Sequence, residues 1–238
     1  MKYLIDTHTH TIASGHAYNT IDEMTRHAAE LGVEYLGITE HAPKMPGSCK
    51  LLYFGNLRVI PREKYGVHRL MGCEANIMDL NGRIDLEEYG LKQCDLVIAS
   101  FHIPCVKAGT VEENTHAMIE AMKNPYVNII GHPDDSRYPV DYDAVVKAAK
   151  EYHVLLELNN SSLKPEGPRK GARENDLQML KLCKKYDVCI SLGSDAHVEE
   201  DICNFDLAEQ LLCEVDFPER LIANTDINLL KSYINKIG

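Results

Sequence analysis

The stretch Tyr3-Leu4-Ile5-Asp6-Thr7-His8-Thr9-His10 decides how this chain is read. A short apolar run passes at once into a polar segment with two histidines at positions i and i+2. On an extended backbone such residues point to the same side. The arrangement returns far along the chain, in Gly193-Ser194-Asp195-Ala196-His197. If other apolar runs also end in metal-ligand chemistry, the fold is one that gathers strand ends on one rim.

They do. Short runs rich in Ile, Leu and Val occur at Tyr3–Asp6, Tyr35–Thr39, Leu70–Glu74, Leu96–Ser100, Val127–Gly131, Val154–Leu158 and Val188–Leu192. Each reads as a parallel strand buried on both faces. Beyond the first, they lead into Glu40-His41, Glu74, His102, His132-Pro133, Asn159-Asn160-Ser161-Ser162 and Asp195-Ala196-His197, with His16 in the loop after the first strand. Six of the seven deliver His, Asp or Glu; the sixth reads as the exception. Amphipathic segments separate the runs. Thr20-Ile21-Asp22-Glu23 is a capping box opening a helix that Gly32 stops. Helices are also expected from Asp141 to Tyr152, with Ala144, Val145, Ala148 and Ala149 on the apolar face, and over Glu174–Tyr186, Glu112–Lys123, Leu207–Val215 and Ile227–Ile234. Residues 43–66 and 162–172 read as long loops. Repeated β-then-α order allows a barrel or a doubly wound sheet, and convergence of the polar ends favours the barrel, whose site lies at the C-terminal rim.

Imidazole and carboxylate are natural ligands of Zn²⁺, Mn²⁺ or Fe²⁺. Nine candidates exceed the needs of one ion, and Glu74 is placed to bridge two. His27, His68, His116 and His153 fall within helices or away from strand ends and read as solvent-facing or structural. Eight scattered cysteines form no CxxC pair, so a thiolate zinc site is not expected and reduced thiols are. The net charge of −11 speaks against stable binding of nucleic acid. No run is long enough for a membrane span and no signal-peptide core follows Met1, so a cytoplasmic protein is expected. Homo-oligomerisation is left open.

The signatures quoted above, with Ala13-Ser14-Gly15-His16-Ala17-Tyr18 and Gly72-Cys73-Glu74-Ala75-Asn76-Ile77, resemble those of the PHP (polymerase and histidinol phosphatase) metal-dependent phosphoesterases, in the YcdX-like phosphatase branch. The resemblance implies an α/β fold, the distorted (β/α)₇ TIM-like barrel of PHP proteins, as a single domain over residues 1–238. It implies three divalent ions, with zinc expected and manganese or iron tolerated. One would be held by His8, His10, Glu74 and Asp195, a second by Glu74, His102 and His132, and a third by His16, His41 and His197. Glu40, where many relatives have Asp, and Asp6 would orient ligands. The implied activity is hydrolysis of a small phosphomonoester, with Asp195, Glu74 and His197 as catalytic residues around a metal-activated hydroxide. The alternatives are a histidinol-phosphate phosphatase and a PHP-type nuclease or phosphodiesterase. Phosphate calls for further cations. Arg58 and Arg62 lie in the first long loop; Lys164, Arg169, Lys170 and Arg173 lie in or beside the second. Arg62 is preferred for its Pro-stiffened segment, with Arg58 and Arg169 beside it.

Overall fold

Seven parallel strands form the wall that positions the site: β1 (Ile5–Thr9), β2 (Tyr35–His41), β4 (Val67–Asn76), β5 (Leu96–Ser100), β6 (Ile129–Ile130), β7 (Leu155–Asn159) and β8 (Ile190–Gly193). A two-residue strand, β3 (Glu63–Lys64), pairs antiparallel with the start of β4. The computed structural model describes residues 1–234, so the last four residues of the expected 1–238 domain lie outside the described part. Helices α1 (Ile21–Glu30), α2 (Leu51–Gly55), α3 (Glu88–Leu91), α4 (Val111–Met122), α5 (Tyr142–Tyr152), α6 (Ala172–Tyr186), α7 (Asp206–Glu214) and α8 (Ile227–Tyr233) surround the wall, with short 3₁₀ turns in the connections. None among the described residues is long and apolar enough to cross a membrane.

The sheet runs β1-β2-β4-β5-β6-β7-β8 and curls until its edges meet. At the C-terminal end the seam is closed by a parallel bridge between Thr9 and Ala196, with Asp195 N–H donating to His8 O and His10 N–H to Ala196 O, both at 2.9 Å. Lower down, β1 and β8 are joined by a side chain. The buried Asn224 amide accepts from Leu192 N–H at 2.6 Å and donates to Leu192 O and Ile5 O at 2.8 and 2.9 Å. A buried backbone polar group without a partner is costly, so this amide completes a ladder that the strands leave open. The result is a distorted seven-stranded (β/α) barrel.

The barrel interior is layered. Ile5, Leu70, Leu96, Ile98, Ile129 and Leu155 pack together with Ala223 and Leu230 as one apolar cluster. Further along β4 and β7, two strand repeats beyond Leu70 and one beyond Leu155, the same alternation turns Glu74 and Glu157 inward. A second, larger core lies between the strands and the helices. Gly193 shows how tight the polar layer is: a Cβ there would collide with Glu157 Oε1 and crowd His8 Cβ.

Local signals were read well where they were strong. Thr20 caps α1 with the reciprocal Glu23 contact, and Gly32 follows at φ 75°. Thr110–Glu113 forms a second such box, and Asp141 caps α5. On α5, Val146 is buried and Ala144 only half so. Strand ends shifted: β1 extends through His8 rather than stopping at Asp6, because its pairing with β2 and the Thr9–Ala196 bridge continue the ladder. Residues 43–66 hold α2, a 3₁₀ turn and β3 rather than an open loop.

Candidate metal centre

Six of the nine predicted ligands, His8, His10, His41, Glu74, His132 and Asp195, are buried; His102 and His197 are half-buried and His16 is exposed. All nine come together at the C-terminal rim. Glu74 stands in the middle. Its Oε1 lies 2.9 Å from His132 Nε2 and 3.2 Å from His102 Nε2. Its Oε2 lies 3.5 Å from both His8 Nε2 and His10 Nε2, and 2.7 Å from His41 Nδ1. Asp195 Oδ1 faces His10 Nε2 at 3.4 Å and His8 Nε2 at 3.8 Å. At the mouth, His16 Nε2 and His41 Nε2 face each other at 3.2 Å, and the His197 ring lies 4.9 Å from that of His16.

Backbone geometry aims several of these groups. His132 and Asp195 hold φ of 30° and 53°. Such values are uncommon for residues with a side chain and persist only where surroundings impose them. Hydrogen bonds then fix the rings. His8 Nδ1 meets Glu157 Oε1 at 2.6 Å, His10 Nδ1 meets Ser14 Oγ at 3.0 Å, His102 Nδ1 meets Asn76 Oδ1 at 2.8 Å, and His197 Nδ1 meets Asp195 O at 3.0 Å. Each contact at Nδ1 leaves Nε2 for the centre. Glu40 accepts the hydroxyls of Thr11 and Ser14, so it acts on His10 through Ser14. Asp6 accepts from the backbone N–H of His8, Ser194 and Cys203 and so ties the strand ends together.

These groups fit divalent cations. Two imidazole nitrogens on a tetrahedral zinc stand roughly 3.3 Å apart, from the usual Zn–N length. His8 Nε2 and His10 Nε2 are 3.1 Å apart, and the His16–His41 pair is close to the same value. Glu74 Oε2, His41 Nδ1 and His102 Nε2 are buried and close to one another's side chains yet form no aligned hydrogen bond, a cost that a cation would remove. Protonation points the same way. Burial and the neighbouring His41 hold His10 well below the ordinary imidazole value; burial and His41 also lower His16, and burial lowers His102. Neutral imidazole is the ligand form. Burial opposes ionisation of Glu74 and Asp195, but the facing histidines outweigh it and hold both carboxyls well below the usual range. His8 differs: burial would lower it, but Glu157, Glu74 and Asp195 outweigh that and raise it well above the ordinary value. His8, His10 and Glu74, then His41, Glu74 and His102, then His10, His41 and His197 form overlapping groups suited to metal binding.

The arginines divide. Arg169 reaches the rim: its Nη1 lies 3.2 Å from Asp195 Oδ2 and donates to Ser162 Oγ at 3.0 Å. Arg62 does not. It pairs with Asp95 at 2.6 Å and donates to the backbone O of Leu57 and Ile60, next to the start of β5. Arg58 is exposed in the 3₁₀ turn before it. The reason is topological. Residues 43–66 lead from the end of β2 back to the beginning of β4, and by Leu57 the chain has reached the opposite end of the barrel. Both residues, expected above the rim, are therefore remote from the histidines. Lys164 and Arg173 pair with Asp201 and Glu214. His27, His68, His116 and His153 all lie outside the cluster, near Glu30, Glu63, Glu120 and Tyr233.

One inward carboxylate was missed. Glu157, on the strand taken as the exception, is fully buried, holds His8 and accepts from His132 N–H at 2.8 Å. The signal was present in Leu155-Leu156-Glu157-Leu158-Asn159: a lone acid in an apolar run, on the inward parity shared with Asn159.

A distorted seven-stranded barrel whose rim gathers histidines and carboxylates suited to metal binding defines a class of metal-dependent hydrolase. A family model described as the PHP domain matches residues 6–211. The chain belongs to the PHP domain family, and its activity class is that of a phosphatase. It is 50% identical over 238 residues to a probable phosphatase of Clostridium novyi, covering 100% of this chain and 97% of that one. It is 48% identical over 234 residues to a probable phosphatase of Caldicellulosiruptor bescii, covering 98% and 96%. Among solved structures, it resembles histidinol phosphate phosphatase of Lactococcus lactis, a complex with zinc, L-histidinol and phosphate. That match has a TM-score of 0.64 at 21% identity and covers 91% of this chain and 95% of the other.

Proposed function

We propose that the protein hydrolyses small phosphomonoesters at a centre of three divalent ions, zinc by preference. Glu74 carries the reading. Its two oxygens face different histidine sets, His102 and His132 on one side and His8, His10 and His41 on the other, as a bridging carboxylate requires. His8, His10, Glu74 and Asp195 would hold the first ion; Glu74, His102 and His132 the second; His16, His41 and His197 the third. Bound there, the ions would acidify water and offset charge on the attacking and leaving oxygens.

The chain's own residues do the rest. Arg169, tethered to Asp195, presents its guanidinium beside the cluster to receive phosphoryl oxygens. Asp195 divides its carboxylate, Oδ1 toward the histidines and Oδ2 toward Arg169 and Asn159 Nδ2. The facing histidines and Arg169 hold this carboxylate ionised, so in the resting site Asp195 can take a proton but has none to give. His197, half-buried at the mouth, borders the same space. Glu74 keeps the ligand sets in register. A zinc- and phosphate-containing relative of the same fold is consistent with this assignment.

The test combines metal counting with a substrate panel that includes histidinol phosphate, nucleotides and single-stranded DNA. Three equivalents of metal per chain and chelator-sensitive release of phosphate from small monoesters are expected. Glu74→Gln should lose metal and at least ~100-fold in rate. A saturating count of two would reject the three-ion centre. Preference for histidinol phosphate by orders of magnitude, or ready digestion of DNA, would move the function to those substrates.

A further inference from the structure

A cavity of about 270 Å³ opens over His16, His41, His102 and His197, and two arginines from different loops line it, Arg169 and Arg137. Arg169 is bound to Asp195 at the rim. Arg137 touches none of the nine candidate ligands. Its guanidinium is instead seated on Asp135, which is 3% exposed: Nε lies 2.8 and 3.0 Å from the two carboxylate oxygens and Nη2 lies 2.7 Å from Oδ2. The Arg137 backbone N–H also donates to Asp135 Oδ1 at 3.0 Å. The next residue locks the loop. Tyr138 stacks on Phe101 with ring centroids 4.8 Å apart and donates its hydroxyl to Val106 O at 2.7 Å. The fork is thus held in one plane, while Nη1, among the described residues, has no protein acceptor.

Neutralising Asp135 explains Nε and Nη2. It does not explain a side chain 37% exposed that lines a cavity with its remaining donors free. The cavity also has a carbon wall, from Met45, Phe101, Ile103, Pro104 and Pro168. A phosphoryl group on Arg169 would direct the leaving group along this wall. We infer that Arg137 receives a second anionic group, a carboxylate or a second phosphate, on the leaving-group side, so that the preferred substrates are small phosphomonoesters with an anion at each end. This specificity rests on the phosphatase reading above. It follows that a leaving group ending in an ammonium, as histidinol does, meets a like charge. A preseated fork loses little freedom on binding.

The experiment compares matched substrates on the metal-loaded protein: 3-phosphoglycerate against glycerol 3-phosphate for the carboxylate, and fructose 1,6-bisphosphate against fructose 6-phosphate for the second phosphate. At least one doubly anionic member should be favoured by ~10-fold or more in kcat/KM, chiefly through KM. Arg137→Gln should bring that ratio toward one, and Arg137→Lys should keep part of it. A wild-type ratio near one in both pairs, or equal losses on both members in Arg137→Gln, overturns the inference. Calorimetry with 3-phosphonopropionate and ethylphosphonate, which cannot be hydrolysed as phosphate esters, gives a second reading of the same contact. Tighter binding of the former, lost in Arg137→Gln, is expected, and equal binding overturns it. Should no phosphoester be hydrolysed, the phosphatase reading falls while calorimetry still decides the role of Arg137.

Discussion

Glu157→Gln tests whether the histidine cluster is tuned from behind. Glu157 is fully buried and nearly isosteric with glutamine, so packing is preserved. Its Oε1 accepts from His8 Nδ1 at 2.6 Å, and its Oε2 accepts from His132 N–H and Asn159 Nδ2 at 2.8 and 3.1 Å. Glutamine has only one accepting end. With its oxygen toward His8, the amide NH₂ points at two donors. With its NH₂ toward His8, Nδ1 must accept, the proton moves to Nε2, and the nitrogen aimed at Glu74 is blocked as a ligand. A hydrogen bond to a charged group contributes about 1.5–3 kcal/mol. That corresponds to ~10–100-fold in affinity, the usual range for groups that orient metal-bound histidines. The assay is competition for zinc against a chelator of known affinity, with far-UV circular dichroism to confirm the fold. The expected result is a native spectrum with one ion weakened by that factor. Wild-type affinity for every ion in a folded Glu157→Gln protein would refute the role given to Glu157.

Three further outcomes are expected. Metal binding should release protons and weaken as pH falls, because His8 sits above its ordinary value without metal and must give up its proton to ligate; in the metal-free protein that raised value adds stability below the unfolded pKa, lost as pH rises through the folded one. Buffer-dependent calorimetric enthalpies at pH 7 check the release, and pH-independent affinity between pH 6 and 8 would contradict it. Asp134 and Asp176 are buried with no hydrogen-bond partner for their oxygens; burial, with Glu157 and Asp135 nearby, pushes Asp134 up to about 7, and burial beside Asp134 pushes Asp176 well above the usual range. Their raised values mean stability is greatest below the unfolded carboxyl pKa and falls as pH rises through 7. Asp176→Asn should therefore raise the melting temperature at pH 8 by at least ~2–4 °C, for ~1 kcal/mol, and by less at pH 4; an equal shift at both would deny the buried-acid explanation. Finally, Arg62→Gln should lower the melting temperature by losing Asp95 yet leave kcat/KM unchanged, whereas Arg169→Gln should lose ~10–100-fold, and a kinetic loss in Arg62→Gln would reverse the topological argument.

Three features of the site lie beyond what composition and spacing carry, each for its own reason. Arg58 and Arg62 lie in the long segment after β2, expected over the rim, but a βα crossover reverses direction, and how soon it does so is not written in composition or spacing. Glu157 lies within its strand rather than at the end, and the barrel turns mid-strand residues inward on alternate positions. Arg137 carried no motif at all; its importance lies in the seat that Asp135 provides and in the cavity it faces.

The nine candidate ligands, the strand-then-helix order and the capping boxes were legible because each depends on local chemistry. Ligand types are identities, helix caps span three residues, and parallel strands are marked by unbroken apolar runs. Which nitrogen of each histidine faces inward, how Glu74 divides its two oxygens, and which arginine shares the rim were decided only by tertiary structure. Those properties are set by groups far apart in sequence, such as Glu157 behind His8 and Asn76 behind His102, brought within 2.6 and 2.8 Å by closure of the barrel.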